Sequence, residues 1–356
     1  MTNSPKTRLC PNTQCSLYAR KNEGNIVPHG FFKKKRGRAR RFRCTDCGKS
    51  FCSSKGTPYY RLQHSRNAFD MVAAMSVEGV SKSSIARIMG LSWNTTARWE
   101  EKASQTAKIF NKRMTQGYEL TELQADEIRT FTVAKSKTTW VFASIEVWSR
   151  LWASTVVGRR SYRNTRRLLS DAAIAGTFTT APLITSDGFE FYAKVVRELF
   201  PNACLHGQVV KEWGKNRVRS ITRSLVTGAE FQLDDALARS EDSTSINTSF
   251  IERLNLTIRR GCSYLHRRTP CHSRRTERLS DQLELLRCHY NFMRPHRSLQ
   301  FGNVVRTPAM QTGLASKRLT FRMVFHSLNA GAVFVLVVHI KILGELSEDS
   351  GHRMAA

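Results

Sequence analysis

Acidic residues are scarce in this 356-residue chain: 28 Asp and Glu stand against 57 Lys and Arg, a formal net charge of +29 at pH 7. A field of that sign attracts polyanions, so the partners to compare are nucleic acid, an acidic membrane face and acidic protein. Long apolar runs are also lacking. The nearest to one, AVFVLVVHIKIL near the carboxyl end, is broken by His339 and Lys341, whereas a crossing helix needs about 20 apolar residues. Basic residues spread over roughly the first 300 positions instead of clustering beside a span, which argues against a membrane tether and puts nucleic acid first. The start, MTNSPKTRLC, has no apolar stretch of the secretory kind, so a reducing cytoplasm is the expected compartment. Nine cysteines in such a chain read as metal ligands and buried thiols rather than as a disulfide framework.

The length permits two or three domains. Residues 1–62 are rich in Cys, Gly, Lys and Arg with little helical period, and need something other than an apolar core. Residues 63–115 carry apolar positions at helical spacing in AFDMVAAMSVEGV, SKSSIARIMG and SWNTTARWEEKASQTAKIF. From 116 the strand-like runs ADEIRTFTV, TWVFASIEV and LWASTVVG predict a meander. A helix (SYRNTRRLLSDAAIAG), a buried strand (APLITSD) and a second helix stopped by Pro201 follow, so the class is mixed α/β. Residues of about 202–245 are ambiguous, a strand CLHGQVVKEW followed by a basic stretch and then the acidic, polar SEDSTSIN. Helical pattern resumes at about 248.

Cys10-Pro-Asn-Thr-Gln-Cys15 and Cys44-Thr-Asp-Cys47 form two thiol pairs with a basic stretch, FFKKKRGRARRFR, between them. This is zinc-ribbon spacing: each pair sits on a turn, four sulfurs converge tetrahedrally on structural Zn²⁺, and the metal replaces the missing core. Gly48 allows a turn whose backbone amides point at sulfur. Cys52 is a fifth candidate for four places and stays outside. Cys204, Cys262, Cys271 and Cys288 read as ordinary buried or partly buried thiols.

Gly90-Leu91-Ser92 is a short turn between a helix starting near Ser81 and another near Ser92, which is helix-turn-helix grammar. The second helix then presents Trp93, Asn94, Thr95 and Arg98 where base edges are read.

Three acids stand out by context. Asp126 lies on a strand, Asp187 ends a buried strand ahead of Gly188, and Glu252 sits in a helix whose stripe continues through Asn255 and Arg259. Glu127 competes with Asp126, but strand alternation sends neighbours to opposite faces, so only one is expected to serve. Spacing alone leaves three unrelated surface acids open as an alternative.

From Cys10 to about Pro308 the chain resembles insertion-sequence transposases of the DDE type that carry an amino-terminal zinc ribbon and helix-turn-helix. The likeness rests on ADEIRTF, IEVWSRLW, LITSDGFEFY, NTSFIERLNLTIRR and HYNFMRPHRSLQ followed by RTPAM. The last resembles the Asn-x-x-Arg-Pro-His tail of integrase-like cores, here Asn291, Arg294, Pro295 and His296. The resemblance implies a ribonuclease-H-like mixed-sheet domain over 116–312 in which Asp126, Asp187 and Glu252 hold two Mg²⁺ or Mn²⁺ for DNA cleavage and strand transfer. It further implies double-stranded DNA as partner, both transposon inverted-repeat ends and target, a homo-oligomer on that DNA, no membrane, and a place at the bacterial nucleoid. Asp187 and Glu252 lie 65 positions apart, longer than in compact members, hence the expected insertion. Asn255, Arg259, Arg294 and His296 are expected at DNA, as are His266, His272 and His289 among the arginines. Two alternatives stay open: a non-catalytic DNA-binding regulator, and a ribonuclease-H-like nuclease or decayed transposase. Residues 313–356 carry no assignable role.

Overall fold

The computed structural model describes residues 8–18, 20, 22–33, 38–200, 204–214 and 217–327. The centre of the basic stretch (34–37) and the tail from 328, with its AVFVLVVHIKIL run, lie outside the described residues.

Strands β1 (Ile26–Lys33), β2 (Arg38–Cys44) and β3 (Ser50–Cys52) form a three-stranded antiparallel sheet. Its core is Cys10, Cys15, Ile26, Phe42, Cys44 and Phe51, so half of the buried side chains are thiols. An apolar cluster this small cannot offset the conformational entropy of ordering the segment.

Helices α1 (Arg66–Val77), α2 (Lys82–Met89) and α3 (Trp93–Met114) follow. Ser65, Ser81 and Ser92 each accept a first-turn backbone N–H, and Gly90 closes α2 at φ +60°, a left-handed angle that glycine takes without strain. The expected starts at Ser81 and Ser92 are therefore the observed ones.

The larger body contains β4 (Tyr118–Glu119), β5 (Glu122–Phe131), β6 (Thr138–Glu146), β7 (Trp152–Gly158), α4 (Tyr162–Ala175), β8 (Gly176–Thr177), β9 (Leu183–Asp187) and α5 (Glu190–Leu199). It continues with β10 (Leu205–Gly214), β11 (Arg217–Thr227), α6 (Glu230–Arg239), α7 (Ser249–Gly261) and α8 (Thr276–Phe292). Six strands make one mixed sheet in the order β11-β10-β9-β5-β6-β7. β5, β6 and β7 are the antiparallel meander; β9 lies parallel to β5, and β10 parallel to β9.

Residues of about 202–245 are thus no simple insertion. β10 is a strand of the same sheet, and the basic stretch after it forms β11, its antiparallel neighbour. The arginines and small polar residues of β11 hid this strand, because most of its positions face solvent and give no apolar alternation.

One continuous core joins α1 and α3 to the sheet, α7 and α8. Phe110 of α3 meets Phe292 of α8 edge-on with ring centroids 5.0 Å apart, and Asn111 donates to the backbone oxygen and carboxylate of Glu284. After the short helix α9 (Pro308–Gln311), α10 (Phe321–Ser327) returns to the amino-terminal helices. There Phe325 packs on Tyr59 and Phe69, and Arg322 pairs with Asp70 at 2.7 Å.

Asn291, the first residue of the Asn-x-x-Arg-Pro-His motif, is fully buried. Its side chain accepts from Trp152 N at 2.9 Å and donates to Trp152 O at 3.0 Å, tying α8 to the edge strand β7. Replacing it with Ala strands a buried N–H and C=O, and is expected to cost about 2 kcal/mol of unfolding free energy in urea titrations. A loss below about 0.5 kcal/mol would mean water restores both bonds.

Candidate active site

The pairing of β5 with β9 ends at Ala125 and Ser186. β9 stops one residue later, at Asp187, and the chain turns through Gly188 into α5. Asp126 and Glu127 therefore stand just past the point where β5 loses its parallel neighbour, and the carboxylates of Asp126, Glu127 and Asp187 lie within 4.8 Å of one another.

This corrects the exclusion of Glu127. Alternation does hold along β5, where Asp126 faces Ala143 and Glu127 faces Phe142 on β6. Beyond the end of β9, however, no strand separates the two faces, and a glutamate's three torsions span the gap to Asp187.

Each carboxylate is held. Asp126 accepts from the Glu127 amide at 2.7 Å and from Asn255 Nδ2 at 2.8 Å. Asp187 accepts from Phe189 N at 3.0 Å. Arg160 Nη2 reaches Glu127 Oε2 at 3.3 Å and Asp187 Oδ2 at 3.4 Å. The Tyr192 hydroxyl is buried against the Glu127 side chain.

Burial, reinforced by the charges of Asp187 and Glu252, pushes the Asp126 carboxyl up to about 6. Burial and Asp187 push Glu127 up to about 8. Crowded, half-buried acids of this kind suit a hard divalent cation, and an all-oxygen carboxylate set selects Mg²⁺ or Mn²⁺ over softer metals.

Glu252, the third expected acid, lies outside this group of three. Its side chain is 48% exposed and pairs with Lys211 of β10, while accepting from Thr248 Oγ1 at 2.8 Å. It nevertheless sits one turn from Asn255, which grips Asp126. Thr248 caps no amide of α7; instead Gln124 Oε1 on β5 accepts from Phe250 N and Ile251 N at 3.0 and 3.1 Å. A strand residue thus caps the helix and fixes α7 against the acidic cluster.

The remaining expected DNA contacts divide. Trp93 (54% exposed), Asn94 and Arg98 are exposed at the start of α3, whereas Thr95 is half-buried and its amide is taken up by the Ser92 cap. Arg294 is exposed and Arg259 half-buried. Asn255 is buried on Asp126, so it orients a carboxylate rather than meeting DNA. His296 is half-buried against Tyr290, and burial lowers its pKa to about 4; His289, stacked on Phe321, is lowered likewise. His266 bonds the Arg260 carbonyl and His272 packs on Phe131.

Cys10, Cys15, Cys44 and Cys47 bring four sulfurs within 4.8 Å of one another, a set that can hold a metal ion, with Cys52 outside. Gly48 takes φ +68°, and the Lys49 amide directed at Cys47 holds that thiol down at about 6. Asn25 Nδ2 donates to Cys44 Sγ at 3.3 Å. Cys204, Cys262 and Cys288 are buried and Cys271 is half-buried, all as free thiols.

No protein-family model matches the chain, and no curated protein matches it. Among solved structures, the cryo-EM structure of a piggyBac transposase synaptic complex with hairpin DNA is similar over 73% of this chain and 70% of that one, with 9% identity and a TM-score of 0.33. A likeness this loose decides nothing about chemistry. No helix among the described residues is long and apolar enough to cross a membrane.

Both raised carboxyls bind protons more tightly folded than unfolded. Without divalent metal their contribution is therefore full below the ordinary carboxylate range and is lost as pH rises through the window from 4.5 to about 8 set by Glu127. Glu127→Gln is expected to flatten the difference in unfolding free energy between pH 4.5 and pH 8. An unchanged difference would show that burial of Glu127 carries no such cost.

Proposed function

We propose that the chain is a DNA transposase of the insertion-sequence DDE type, with a zinc ribbon, a helix-turn-helix and a ribonuclease-H-like core. The observation that carries this reading is the meeting of Asp126 and Glu127, in the middle of β5, with Asp187 at the end of its parallel neighbour β9, in a chain of net charge +29. The six-stranded mixed sheet is compatible with such a core.

Asp126, Asp187 and Glu252, with Glu127 beside them, would hold Mg²⁺ or Mn²⁺. When bound, such ions activate a water or a DNA 3′-hydroxyl for attack and stabilise the leaving oxygen. The chain's own residues do the positioning. Asn255 fixes the Asp126 carboxylate, Gln124 anchors α7, and the Phe189 amide orients Asp187. Trp93, Asn94 and Arg98 read base edges from α3, while Arg259 and Arg294 meet phosphate. Zn²⁺ on Cys10, Cys15, Cys44 and Cys47 would brace the basic hairpin. Two ends and a target call for a homo-oligomer on DNA, at the nucleoid.

Labelled duplex bearing the element's inverted-repeat ends, incubated with the chain and Mg²⁺, is expected to yield nicked and joined products. Asp187→Asn should lower their rate by about 100-fold or more while leaving DNA binding within about twofold. Cutting without joining would favour a nuclease, and binding with no chemistry by wild type a regulator.

One zinc per chain is expected by elemental analysis of the purified protein. Cys44→Ser should lose it and expose residues 8–62 to limited proteolysis while the helices persist. Full protease resistance of zinc-free protein would remove the structural role.

A further inference from the structure

Arg160 lies on the link between β7 and α4, a position that no sequence pattern marks. Its guanidinium sits at the mouth of the acidic cluster, 3.8 Å from the Phe189 ring centroid and 4.9 Å from that of Trp140. One nitrogen, Nη2, is shared between Glu127 Oε2 and Asp187 Oδ2 at 3.3 and 3.4 Å. Those distances exceed the roughly 2.7–2.9 Å of a strong charge-assisted bond, and the side chain is 34% exposed, so the pairing is loose and open to exchange.

We propose that Arg160 is a resident counter-ion of the acidic cluster, competing with divalent metal for Glu127 and Asp187, and that once displaced it binds a DNA phosphate at the same mouth. The inference rests on the metal-site reading above. A small divalent ion and a guanidinium compete for these two oxygens, because each repels the other at this separation and each lowers the negative charge that attracts the other. The ion, with twice the charge on a smaller radius, takes them. Arg160 does not then leave the site, since cation–π attraction to Phe189 and Trp140 is independent of the carboxylates and keeps the guanidinium at the edge. An exposed guanidinium beside metal-neutralised acids faces whatever anion the metal engages, and its planar fork suits phosphate oxygens. Glu252, outside the cluster of three, has its own basic partner in Lys211.

The discriminating variant is Arg160→Gln, which keeps length and polarity without charge, measured on the full chain. Mn²⁺ binding without DNA, followed by electron paramagnetic resonance of the free ion, is expected to tighten about fivefold. Arg160→Lys, which keeps the charge, should stay within about twofold of wild type. DNA binding supplies the second readout. With Mn²⁺ present, the slope of log affinity against log salt should be shallower by about one in Arg160→Gln, and without metal it should match wild type. Mn²⁺ affinity unchanged or weakened by Arg160→Gln overturns the proposal, as does a slope change of equal size with and without metal. A wild-type chain that takes up no Mn²⁺ removes the metal-site reading itself, and the counter-ion role falls with it.

Discussion

The mutual repulsion of acids gathered where β9 ends beside the middle of β5 is the constraint to which the surrounding structure answers. Three carboxylates within 4.8 Å, two of them raised well above their ordinary range, are destabilising without compensation. Strand pairing brings Asp187 level with the end of Ala125, backbone amides and Asn255 hold two of the carboxylates in fixed directions, and Arg160 offsets part of the charge.

The amino-terminal unit meets a different shortage by related means. Where the larger body has a continuous apolar core, the cluster under the three-stranded sheet has, among the described residues, six buried side chains, three of them thiols. Both places depend on charge or donor atoms brought together by tight local geometry: Gly48 turning an amide toward Cys47, and the end of β9 releasing Asp187 toward β5.

Much of this was legible where local rules set the outcome. Cysteine spacing brought out the four converging sulfurs, serine and glycine placed the ends of α2 and α3, and apolar runs gave the meander and β9. The illegible parts depend on what lies beside a residue rather than along the chain. Glu127 joins the acids only because β9 ends where it does. Asn255 turns from a presumed DNA contact into a carboxylate support because α7 lies across β5, and Asn291 proves to be a clamp on β7. β11 escaped because a solvent-facing ribbon of arginine, serine and threonine has no apolar period to read.

The tertiary contacts also settle how the amino-terminal helices relate to the acids. α3 is 22 residues long, about 33 Å of rod. Its exposed start carries Trp93, Asn94 and Arg98, while its far end is locked to α8 through Phe110 and Asn111. α8 in turn holds β7 through Asn291, and α10 clasps α1 through Arg322 and Phe325. Sharing one core, these elements cannot swing independently of the sheet without breaking buried ring contacts and amide bonds. The distance from the α3 start to the carboxylates is therefore a property of the fold.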